Sequence, residues 1–137
     1  MKTNHISKSR LWTGRIMSGL VIFFMIFDAI FKFFVTEEAV AGTTELGWSV
    51  HHLVPLGVIA LIATILYAIP ATTVMGAVLL TAYFGGAIAT HFRIDNPLFS
   101  HTLFPVYLAI LMWGGAWLRN PSLRAIFPMR SSGVVIQ

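Results

Sequence analysis

LGWSVHHLVPLGVIALIATILYAIPATTVMGAVLLTAYFGGAIAT, residues 46–90, contains no Asp, Glu, Lys or Arg. One crossing of a bilayer takes about 20 predominantly apolar residues. The interval is therefore long enough for two crossings and a tight turn, and Pro70-Ala-Thr-Thr supplies the turn. So short a connection joins antiparallel neighbours. The whole chain agrees: of its 137 residues 57% are hydrophobic and 10% charged, where soluble domains carry roughly 25% charge. A soluble domain is excluded, and an all-α, membrane-spanning antiparallel four-helix bundle is predicted.

Working outward, the helices are expected at about 11–35, 48–69, 72–92 and 99–118. Residues 1–10 form a polar, loosely ordered N-terminal segment, 11–128 the membrane domain, and 129–137 a tail that frays beyond Ser131. The first run resembles a signal peptide, but no small-residue cleavage site follows it, and it reads as a retained helix. Thr36–Gly47 is read as a loop broken by Gly42-Thr-Thr, and Ser49 as a helix N-cap. Pro55 is expected to bend the second helix. Ala82-xxx-Gly86-xxx-Thr90 and Gly85-xxx-Ala89 are small-xxx-small spacings, which predict close helix contacts, within the chain or in a homo-oligomer. Asp95-Asn96-Pro97 is turn chemistry. Trp113 and Trp117 suit an interfacial belt, and Ser122–Pro128 a short interfacial helix with Arg124 and Arg130 toward headgroups.

The formal charge of +4 does not indicate nucleic acid, because the basic residues sit at the ends of apolar segments. There they act as a topology signal. Seven Lys/Arg flank the chain termini (Lys2, Lys8, Arg10, Arg15, Arg119, Arg124, Arg130), against Lys32 and Arg93 at the other end. Both termini are thereby predicted to be cytoplasmic, in a bacterial inner membrane.

That topology gathers ionisable groups from distant parts of the sequence at the non-cytoplasmic end. The candidate ligand-binding residues are Asp28, Lys32, His51, His91, Arg93 and His101. Charges in or at the edge of a span are expensive and normally face the bundle interior or a wet cavity. Asp28 and Lys32, four apart with the acid first, make a favourable helical pair; taken alone they could simply terminate the helix. His51 and His52 are adjacent, so only one can face the core. His91 shares a helix face with Ala87 and Phe84. Arg93 and Asp95 could pair locally. The cytoplasmic half offers no buried ionisable group, which argues against a proton path.

The histidine spacing fits no compact metal signature such as H-E-x-x-H, and no metal is assigned. Haem would need a deeper axial His. With no cysteine, disulfides and thiol chemistry are excluded for this chain. No nucleotide loop or hydrolase constellation is visible. The reading that remains is a polar pocket for a small, lipid-soluble molecule; a structural or partner-binding module without its own ligand, and behind it a small-solute or proton transporter, are the alternatives.

The order of features resembles the DoxX-like family of small four-helix bacterial membrane proteins. The resemblance rests on FDAIFKFF at the end of the first helix, PLGVIALIATILYAIP in the second, Ala89-Ile-Thr-His-Phe-Arg in the third, and the basic end WLRNPSLRAIFP. It covers roughly residues 14–128. It implies a four-helix bundle. It also implies an association with redox chemistry, since the family takes its name from a subunit of a thiosulfate:quinone oxidoreductase. From that come a quinone-like ligand and a redox partner subunit as expectations. Thiosulfate oxidation is not carried over, because the chain has no sulfur-handling thiol.

Overall fold

The computed structural model describes residues 6–130. The expectations for the extreme N-terminus, His5 and the frayed end beyond Ser131 lie outside them. Six α-helices follow one another: α1 (Lys8–Phe33), α2 (Glu37–Glu45), α3 (Leu53–Ala68), α4 (Thr73–Arg93), α5 (Phe104–Arg119) and α6 (Pro121–Ile126). No strand occurs among the described residues. Four segments are long and apolar enough to cross a membrane: Lys8–Phe33, Val50–Ala68, Pro70–Arg93 and Leu98–Arg119. The protein is thus a four-helix membrane protein, with the lipid bilayer as its surroundings. Exposed Phe23, Ile59, Val78 and Ile110 are the surface such a protein shows to lipid.

The spanning helices pack as a ring: α1 on α3, α3 on α4, α4 on α5 and α5 on α1, with no close backbone approach across either diagonal. The end of the ring that carries the start of α1 and the end of α5 is tightly closed. A Cβ added to Gly115 would collide with Ser18 and lie 2.9 Å from the Gly14 carbonyl oxygen. A Cβ on Gly76 would collide with the backbone of Tyr67. Only glycine lets these helices meet at such separations.

A polar chain lies in this closed end. Arg119 Nη2 donates to Ser18 Oγ at 3.0 Å. Ser18 Oγ and Tyr67 Oη are 2.7 Å apart, and Tyr67 O–H donates to the Met112 carbonyl at 2.6 Å. Each hydroxyl has one proton. Since the tyrosine spends its own on Met112, Ser18 must be the donor to Tyr67. Ser18 and Tyr67 are buried. This corrects the expectation that the termini-proximal half holds no buried ionisable group. Ser18, Tyr67 and Arg119 are isolated residues on three helices, and nothing in their local sequence pairs them.

Other expectations also change. Thr36–Gly47 is mostly helix. Thr36 Oγ1 accepts from the Ala39 amide at 3.3 Å, and Glu37 and Glu38 lie in the first turn. A cap and acidic residues at the N-terminal pole favour helix over loop. Gly42-Thr-Thr is carried inside it, with Thr44 Oγ1 bonded to the Val40 carbonyl at 2.7 Å. Val35 (φ 51°) and Gly47 (φ 87°) turn the chain at either end. Ser49 does cap, but it starts a single 3-10 turn, Val50–His52, ahead of α3. Pro55 falls in the first turn of α3, where no intrahelical donor is lost.

The small-residue row of α4 makes no close helix contact within the chain: Gly85 and Gly86 are exposed, and a Cβ on either would meet nothing within 4 Å. Arg93 does not pair with Asp95; it donates to the Leu46 carbonyl at 2.7 Å. The tryptophan N–H groups are used internally. Trp113 donates to Thr81 Oγ1 at 2.8 Å and Trp117 to the Phe127 carbonyl at 3.0 Å. Arg124 bonds the Trp117 and Leu118 carbonyls at 3.1 and 2.9 Å. It satisfies the open C-terminal carbonyls of α5.

Candidate functional site

The far end of the bundle, away from the chain termini, is hollow. A cavity of about 790 Å³ is bounded by α1, α4 and the start of α5, reached by Leu56 of α3, and crossed by α2. Its size falls within the usual range for small-molecule sites, about 300–1,000 Å³.

The walls come from three helical faces. On α1, Phe24, Asp28, Phe31 and Lys32 recur at spacings of three and four and share one side. Lys32 Nζ and the Asp28 carboxylate form an ion pair, the one among the described residues. Only 14% of the Lys32 side chain is exposed, against 34% for Asp28. The ammonium also lies in the last turn of α1, where the helix dipole favours a cation.

On α4, Tyr83, Ala87 and His91 follow the same four-residue step. His91 is half-buried in the final turn. Asp95 adopts a left-handed conformation (φ 55°), which turns the chain back so that the Asn96 amide donates to the His91 carbonyl at 3.2 Å. The Asn96 side-chain nitrogen then reaches His91 Nδ1 at 2.7 Å. With Asn96 donating, the proton of the neutral ring sits on Nε2. The third wall is the start of the fourth span, where a π turn, Leu98–Thr102, precedes α5. It presents His101, whose Nδ1 is 2.7 Å from Ser100 Oγ. The two imidazoles lie edge to face with centroids 6.1 Å apart.

Of the six candidates, Asp28, Lys32, His91 and His101 line the cavity. His51 does not; it is exposed in the 3-10 turn, as is His52, so neither faces the core. The adjacency argument assumed a regular helix at that point. Arg93 also stands apart, holding the Leu46 carbonyl at the C-terminal end of α2. Tyr83, Asn96 and Glu38 went unread in the sequence, and Glu45 joins them in the lining. Tyr83 could have been found by one further step along the His91–Ala87 row. Its hydroxyl makes no hydrogen bond among the described residues. The two glutamates depend on α2 being a helix laid over the opening.

Chemically, the cavity offers imidazole, amide and phenol groups able to donate or accept, an internally neutralised ion pair, and aromatic walls. Among the described residues no group of three His, Asp or Glu stands close enough to share a metal ion.

No curated protein and no solved structure matches the chain. A family model does, over residues 16–115, which reach into all four spans and hold every cavity wall. The chain belongs to the DoxX-like family.

Proposed function

We propose that the protein holds a small, lipid-soluble molecule with a flat polar head, quinone-like in chemistry, in the cavity between α1, α4 and α5. The observation that carries this reading is the convergence of His91, His101, Asn96 and Tyr83 on one apolar-walled space next to the Asp28–Lys32 pair. A quinone ring presents acceptors at opposite edges. Imidazole N–H, phenol O–H and ammonium are the donors such a ring needs, and aromatic side chains in the walls can meet its faces. In this reading the protein is a ligand-holding membrane module, and its natural associate is a redox subunit of the same bacterial inner membrane. Both termini lie in the cytoplasm, by the seven-to-two excess of Lys and Arg at their end, and the cavity occupies the opposite half of the bundle.

The test is binding of a short-tailed benzoquinone to the protein in lipid nanodiscs, read by calorimetry or native mass spectrometry. His91→Ala removes one directed hydrogen bond and is expected to weaken binding about tenfold, or about 1.4 kcal/mol, with the melting temperature unchanged. Unaltered affinity in a folded His91→Ala protein would refute the assignment.

A further inference from the structure

The cavity is graded along the helix axes. His91, Asn96, His101, Asp28 and Lys32 occupy its outer part. Deeper in, the lining is apolar apart from the Tyr83 hydroxyl: Phe24 lies one helical turn below Asp28, and Phe84 two turns below His91. Ala82 and Gly86 belong to the lining and both are exposed, and each stands two residues from buried Phe84, about 200° round the helix and so turned away from its packed side. At the depth of Gly86 the lining therefore reaches the outer face of α4. A side chain added at Gly86 would meet open space. Gly86 sits inside the third membrane-spanning segment, so what it faces outside is lipid. At about 1.5 Å per residue it lies about 7.5 Å deeper than His91.

We propose that the cavity opens sideways into the bilayer at Ala82 and Gly86, and that its ligand is a tailed amphiphile. This rests on the binding reading of the preceding section and names the class of molecule. The head sits among His91, Asn96 and the Asp28–Lys32 pair, and the hydrocarbon chain leaves past Gly86 into the surrounding lipid. Two features select this occupant over a compact solute. Apart from the Tyr83 hydroxyl, the polar groups gather at one end of the cavity, so a molecule polar all round would strand much of its hydrogen bonding against Phe24 and Phe84. The deeper exit leads to lipid, so a chain leaving there keeps apolar surroundings along its whole length. The outer end, by contrast, is crossed by α2 with Glu38 and Glu45, and a chain directed that way would meet carboxylates and water. The absence of side chains at Gly86 then serves passage, not helix packing.

The test compares two probes on the full chain in nanodiscs: a dimethoxy-methyl-benzoquinone carrying a decyl chain, and the same head without the chain. Each is referenced to its own concentration in the lipid. Gly86→Leu narrows the gap. It is expected to weaken the decyl probe about tenfold while the bare head changes by less than about twofold. Gly85→Leu, one residue away, equally open and outside the lining, is expected to leave both probes as they were. Unchanged binding of the decyl probe to Gly86→Leu overturns the sideways exit, and so does an equal loss of both probes, since leucine would then merely be filling the cavity. An equal effect of Gly85→Leu overturns it too. If neither probe binds the native protein, the binding reading itself falls.

Discussion

Tyr67→Phe tests the closed end of the bundle most cleanly, because it removes one oxygen and keeps the ring. The tyrosine is fully buried. Two hydrogen bonds disappear with the hydroxyl: the one received from Ser18 at 2.7 Å and the one given to Met112 at 2.6 Å. Each is worth about 0.5–1.5 kcal/mol by soluble-protein measurements, and about 0.6 kcal/mol on average between membrane helices. Two relaxations soften the loss. The Met112 carbonyl lies inside α5, where a main-chain donor one turn on can serve it. The orphaned Ser18 hydroxyl can turn to the carbonyl one turn back along α1. The expected cost is therefore about 1–2 kcal/mol, at the membrane end of the range. Reversible unfolding in mixed micelles, titrated with a denaturing detergent, measures it. A double-mutant cycle with Ser18→Ala should show coupling of about 0.5–1 kcal/mol, since the two residues share one bond. Affinity for a benzoquinone should not move, because Tyr67 takes no part in the cavity wall. A loss below about 0.3 kcal/mol, or strictly additive single mutants, would refute the directional chain from Arg119 to Met112.

Other perturbations separate packing from charge. Gly76→Ala drives a methyl group into the Tyr67 backbone; the α3–α4 hairpin must open, at a cost of about 1–3 kcal/mol, visible in the same unfolding assay, whereas Gly85→Ala should be neutral or slightly stabilising. Asp28→Asn leaves the Lys32 ammonium without its counter-ion at 14% exposure; the expected loss is about 1–3 kcal/mol, less than for a fully buried pair because Asp28 keeps a third of its surface, and Asp28→Asn combined with Lys32→Met should recover most of it. Arg93→Ala cuts the tie to the Leu46 carbonyl; amide exchange in Glu37–Leu46 should quicken while the spanning helices keep their protection.

The four spans were legible because membrane solvation leaves a coarse mark: long intervals without charge, ended by Lys, Arg or turn residues. The gathering of Asp28, Lys32, His91 and His101 at one end followed from topology alone, since an even number of crossings brings those helix ends together. What was not legible is what depends on side-chain direction. α2 was missed because nine residues containing a glycine and two threonines carry a weak helical signal, and its cap at Thr36 and acidic first turn outweigh that only when added up. The row Ala82, Gly86, Thr90 reads identically whether a neighbouring helix or an empty space faces it. The Ser18–Tyr67–Arg119 chain leaves no local mark at all, being built from single polar residues on three helices. Arg93 illustrates the reverse error: proximity in sequence pointed to Asp95, whereas the bond it makes is to the carbonyl of Leu46, at the end of α2.

The glycine contacts at Gly14, Gly76 and Gly115 have a consequence for how this chain can drift over generations. Where backbone touches backbone, any replacement of glycine adds a carbon that displaces a helix, so these positions are expected to tolerate no other residue. At the hollow end, a larger residue enters vacant room with the scaffold left standing. Substitutions are therefore expected to accumulate around the hollow end, and related chains in which Gly76 and Gly115 vary as freely as Gly85 would contradict this.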